Sequence, residues 1–141
     1  MKKRIFLSFM TLFTRCILSS RDLRDGLRIS VMSRHTLEDG ITPDPRIHHT
    51  LYDEWNRVLS APAKFVGAYY RKEIDWKLFE KSYLEYLKEP VIAYHVENIA
   101  RIAFSLPITL LCIEEKADRC HRRLLAEECQ WHMPGLEVIH R

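Results

Sequence analysis

Apolar positions along this chain change their period several times, and each change marks an element. Ile108–Ile113 is apolar apart from Thr109, the signature of a strand buried on both faces. Shorter runs at Arg4–Phe9, Arg28–Met32 and Leu136–Ile139 read as further strands, and Thr11–Ser19 as helix or turn. Helical spacing appears in Leu51–Leu59, which Pro62 closes, and again after Asp75. There Trp76, Phe79, Tyr83 and Tyr86/Leu87 form a stripe at three- and four-residue steps, with Asp75 as cap. Val91–Leu106 repeats the stripe with Ile92, Val96, Ile99 and Ala103, and Pro107 ends it. A last helix opens on Cys120, His121 and Arg122, for which Asp118 is placed as N-cap.

Strands alternating with helices predict an α/β fold: a single three-layer domain over residues 1–141, with a short, mostly parallel sheet flanked by helices. Residues 35–50 are the longest irregular segment, and a loop of that length in a small domain reads as a lid or binding loop.

Composition changes this picture little. With 47% apolar and 29% charged residues, the chain suits one soluble globular core. Net charge is only +3, but residues 1–35 hold Lys or Arg at 2, 3, 4, 15, 21, 24, 28 and 34 against Asp22 and Asp25. That basic third is a candidate face for phosphates. Lys2, Lys3 and Arg4 precede an apolar stretch, as in a signal peptide, yet Arg15 interrupts it and no small-residue cleavage site follows. The stretch is too short to span a bilayer, so no membrane association is expected. The four cysteines (16, 112, 120 and 129) have no compact disulfide spacing, which points to reduced thiols and a cytoplasmic setting.

Chemistry concentrates where the central strand hands over to the last helix. Cys112 and Glu114 sit at a strand's carboxyl end, and Cys120, His121 and Arg122 at a helix's amino end. In open α/β sheets that junction is where ligands bind. A helix N-terminus and neighbouring cations lower a thiol's pKa, which makes Cys120 a candidate thiolate. Arg122 offers a fork for phosphate or carboxylate, and Glu114 is the candidate general acid or base. A structural alternative stands beside each role: Cys120 packed inward, and Glu114 paired with Arg122 as a clasp. The seven-residue gap between Cys112 and Cys120 matches no common zinc spacing, so neither metal nor cofactor is expected.

The pattern Leu110-Leu111-Cys112-x-Glu114, then Cys120-His121-Arg122 and Ala126, resembles the family called domain of unknown function 488. Weaker likeness extends to Arg4–Ser8, to Arg28–Arg34 with its Ser33-Arg34 pair, and to residues 83–87. One departure is Glu115, where the family commonly carries lysine; here Lys116 follows it. The resemblance implies a fold and a site, not a substrate.

Together these readings favour an enzyme acting on a nucleotide, nucleoside or nucleic-acid base, through glycosidic-bond or related hydrolytic chemistry. Glu114, Cys120 and His121 would be catalytic. Arg122 would clamp an anion, with Cys112, Ser8, Ser33, Arg34 and Tyr70 lining the binding site. Tyr69 and Tyr70, beside Arg71 and Lys72, are the aromatics most suited to face a ligand. The alternative is a non-catalytic nucleic-acid or ligand-binding module in which the Cys-Glu-Cys-His-Arg cluster is a structural clasp.

Overall fold

Among the described residues, five strands pair in parallel: β1 (Thr11–Cys16), β2 (Leu27–Ser30), β3 (Glu54–Trp55), β4 (Ile108–Cys112) and β5 (Glu137–His140). Their spatial order is β3-β2-β4-β1-β5. A computed structural model gives this arrangement and describes residues 10–141. The strand expected at Arg4–Phe9, and Ser8 with it, lies outside those residues.

The fully buried β4 is the centre of the sheet, as its unbroken apolar run requires. To one side lies β1, where the sequence pattern suggests helix or turn. Its alternation is hidden by polar residues that are nonetheless inside. Leu12 and Thr14 have zero exposure on one face, and Thr14 Oγ1 meets His140 Nδ1 at 2.7 Å on the neighbouring strand. Arg15, one residue on, reaches Asp25.

A second departure falls at Leu51–Leu59. Edge pairing wins there: the Asp53 amide donates to Arg28 O at 2.8 Å and the Asn56 amide to Ser30 O at 2.9 Å, which seats β3 beside β2. The helix lies later, as α1 (Ala63–Tyr70), and Pro62 opens it. It is followed by α2 (Trp76–Leu87), α3 (Pro90–Ser105) and α4 (His121–His132). Asp75 caps α2 through its bond from the Leu78 amide at 2.9 Å.

All four helices lie on connections that run from β3 to β4 and from β4 to β5. Both move the same way along the sheet, so right-handed crossovers place them on one face. There Leu12, Ile29, Ile108 and Leu110 share a core with Phe79, Tyr83, Val96, Ile99 and Leu124. The β1–β2 and β2–β3 connections move the opposite way and cover the other face. That third layer consists of turns and 3-10 segments (Leu23–Asp25 and His49–Leu51) rather than α-helices. Gly26 turns the chain into β2 at φ +61°, and a Cβ there would lie 2.1 Å from Pro107 O.

The second face is held by charge. Asp25, fully buried, accepts Nη1 of Arg28 at 2.8 Å, of Arg141 at 2.7 Å and of Arg15 at 3.1 Å. Arg28 is equally buried and spends its other donors on Leu51 O and Ser19 O. Much of the basic N-terminal third is therefore consumed internally, and Arg28 is unavailable to any nucleic acid. No helix among the described residues is long and apolar enough to cross a membrane.

His35 follows β2 into this layer. Its ring stacks on Trp55 at 3.7 Å between centroids, and Nε2 lies 2.7 Å from Ser30 Oγ. Burial, with a smaller contribution from Arg57, pushes its pKa down to about 4. As pH falls from 6.5 to 4 the unfolded chain takes up a proton that the folded chain resists. The His35 contribution to stability should therefore shrink by about 2 kcal/mol across that window, discounted for its partial exposure, and level off below it. His35→Gln should flatten the step in a series of melts; an unaltered step would place its origin elsewhere.

Candidate functional site

A cleft of about 700 Å³ opens at the carboxyl ends of β2 and β4. These neighbours send their chains to opposite faces, β2 to the irregular layer and β4 to α4. Such a switch point leaves a crevice by construction. One wall is Met32–Arg34 and the loop beyond it, from Thr36 to Gly40 with Asp44 and Arg46. Aromatic residues of α1 and α2 (Tyr69, Tyr70, Trp76 and Phe79) form the opposite wall, and Cys112–Glu114 with Arg119–His121 form the floor.

The loop wall is built, not slack. Asp39 accepts the Ile41 and Thr42 amides, each at 2.9 Å, and Leu37 N donates to Thr42 O at 2.8 Å. Arg34 donates to Gly40 O at 3.1 Å, and Gly40 has φ +72° with no room for a Cβ beside that guanidinium. Of residues 35–50, Thr36 to Gly40, Asp44 and Arg46 line the cleft.

Glu114 points into the cleft, where its Oε1 accepts the Tyr70 hydroxyl at 2.8 Å. Burial, and then the Glu114 charge, hold the Tyr70 pKa far above its ordinary value, so Tyr70 remains a donor across the physiological range. No ion pair joins Glu114 to Arg122. Arg122 is fully buried beneath the floor and lines no part of the cleft. Its Nη1 donates to Glu114 O and its Nη2 to Glu115 O, the latter at 3.2 Å. The anion-clamp assignment of Arg122 is thus corrected: its two terminal nitrogens turn to backbone carbonyls under the floor, and its side chain does not line the cleft. It is a clasp, but for the chain around Glu114 rather than for its carboxylate.

The thiolate expectation for Cys120 is corrected too. Helix α4 starts two residues later than an Asp118 cap would give, with Cys120 itself as the extended N-cap residue. The residue is 2% exposed. Burial pushes its pKa well up, the Cys112 thiol adds to this, and the charges of His121 and Arg122 do not compensate. Desolvation outweighs the helix terminus here. In the folded chain the half-exposed Cys16 should react with iodoacetamide before Cys112, Cys120 and Cys129, all of which are buried. Mass mapping of early adducts checks this, and early labelling of Cys120 would contradict the buried-thiol account.

The remaining residues divide cleanly. Ser33 lines the cleft but its hydroxyl donates to Ala61 O, so it braces the wall. Arg34, Tyr70, Cys112 and His121 line the cleft. Sequence reasoning missed Arg119, which is exposed at the floor's rim and makes no hydrogen bond or ion pair among the described residues. Its place beside Cys120 in the sequence is the signal that could have found it. Trp76 and Phe79, from the helical stripe of α2, line the cleft while also packing in or against the core. Cys112, Cys120 and His121 come together as a cluster of possible ligand atoms.

No curated protein and no solved structure matches the chain. A family model does: DUF488-N3a, described as the active DUF488-N3 subclade, matches residues 12–131. That span takes in both walls of the cleft and its floor, and the chain belongs to the DUF488 family.

Proposed function

We propose that the chain is an enzyme acting on a nucleotide, nucleoside or nucleic-acid base, with Glu114 as its general acid or base. The observation that carries this reading is a fixed carboxylate, held by Tyr70, at the floor of a cleft of about 700 Å³. That volume suits a ligand of nucleotide size. The aromatic wall offers faces on which a base stacks. Arg34 and Arg119, rather than Arg122, edge the opening and suit a phosphate. A carboxylate beside such an anion pocket protonates a leaving group or activates water. The family's description as an active subclade is in keeping with catalysis.

The alternative, a non-catalytic nucleic-acid module, loses support from the burial of Arg28 and from the internal pairing of Arg15 and Arg21. The test is a product screen. Nucleosides, nucleotides and short oligonucleotides are incubated with the chain, and free base, phosphate and altered bases are sought by mass. Turnover of a member of this set supports the reading; no product from any of them removes it.

A further inference from the structure

Cys112, Cys120 and His121 place their ligand atoms within 4.8 Å of one another at the cleft floor. We propose that these three side chains form a binding site for a thiophilic divalent cation, zinc foremost, whose open coordination position faces the cleft. No spacing rule suggests this, because the two thiols reach each other across the strand-to-helix turn rather than along a knuckle.

Three observations carry it. The first is distance. Cys112 Sγ lies 3.7 Å from His121 Nδ1 and 3.8 Å from Nε2, and a tetrahedral zinc with bonds of about 2.3 Å to sulfur and about 2.0 Å to nitrogen sets a sulfur–nitrogen ligand pair about 3.5 Å apart. The second is the histidine's orientation. His121 Nε2 is 2.6 Å from Val31 O. A carbonyl only accepts, so in the neutral ring the proton sits on Nε2 and the lone pair is left on Nδ1, within the cluster. A ligating histidine that donates its other ring N–H to a backbone carbonyl is the usual supporting arrangement of a metal site.

The third is charge. Arg122 is fully buried and has no carboxylate partner among the described residues. Its Nη1 lies 3.5 Å from Cys120 Sγ, and its Nε has no hydrogen-bond partner. A buried guanidinium without a counter-charge is costly. Metal-bound thiolates supply negative charge at that place, and a guanidinium N–H to ligand sulfur stabilises them in return.

Binding needs no oxidant: the cation displaces the two thiol protons to solvent and accepts sulfur and nitrogen lone pairs. Three protein ligands plus one open position is the pattern of zinc sites that polarise water or substrate. The inference does not rest on the nucleotide reading, since the site is tested by binding alone.

The reduced full-length chain, stripped with a chelator and kept anaerobic, is titrated with Co2+ and then Zn2+. About one cobalt per chain should bind, with thiolate-to-cobalt charge-transfer absorption, and zinc should displace it with release of about two protons per cation taken up by the free chain. Cys112→Ser, Cys120→Ser and His121→Gln should each weaken or abolish that absorption, and Cys16→Ser should leave it intact. Because buried variants can fail to fold, the zinc-loaded wild type is also read by X-ray absorption, which should show two sulfur scatterers. Absence of charge-transfer absorption in the wild type would overturn the proposal. So would a zinc shell of nitrogen and oxygen only, or an unchanged band in a folded Cys112→Ser or Cys120→Ser variant.

Discussion

Asp25→Asn should lower the melting temperature by about 10–20 °C, the fall expected for a loss of about 3–5 kcal/mol in a domain of this size. The carboxylate gathers Arg15, Arg28 and Arg141, and it also accepts the Asp22 amide at 2.9 Å. An asparagine keeps the shape but removes the charge, and it turns an amide N–H toward guanidinium groups. Arg28, with zero exposure, would then be buried without its carboxylate. The same group predicts acid sensitivity. Burial alone would raise the Asp25 pKa, but the Asp22 amide with Arg28 and Arg15 outweighs it and holds the carboxyl below 3.8. A depressed carboxylate contributes stability that is fully present above the unfolded value and is lost as pH falls through the folded one. Wild-type melts should therefore drop below about pH 4, and Asp25→Asn should drop less there. A variant that melts with the wild type at neutral pH would show that the network is not what closes the second face.

Glu114→Gln should separate chemistry from architecture. The loop around Glu114 is held through its main chain by Arg122, so the side chain is not the clasp. A glutamine oxygen can still accept from Tyr70, and the residue lies at the cleft rather than in the core. The melting temperature should consequently move by no more than about 2–3 °C. Turnover should fall by roughly a hundredfold or more, because the amide neither gives nor takes a proton. A large loss of stability would mean that the carboxylate supports the fold, and the catalytic assignment would not survive it.

The parts of the fold legible in the sequence are those where one physical term dominates. Ile108–Ile113 is apolar on both faces and could only be a central strand; α2 has an Asp75 cap and a clear stripe; α3 is bracketed by Pro90 and Pro107. Where terms compete, local pattern misleads. Thr11–Cys16 buries polar residues that find partners only across strands, and Leu51–Leu59 is claimed by edge pairing with β2. The site behaves likewise. Its position follows from the Cys112–Arg122 motif, but the direction of each side chain does not. Arg122 turns under the floor while Arg119, three residues earlier, turns out, and the thiols of Cys112 and Cys120 meet only once the turn is folded.

The central claim is that this cleft takes a nucleotide, and calorimetric titration with nucleoside 5′-monophosphates tests it most directly. Binding should be detectable, and the double variant Arg34→Ala/Arg119→Ala should weaken it about tenfold or more through loss of phosphate contacts. The corresponding unphosphorylated nucleosides should bind wild type and variant alike. No heat of binding with any of the nucleotides at millimolar concentration, or a double variant that binds them as tightly as wild type, would contradict the account.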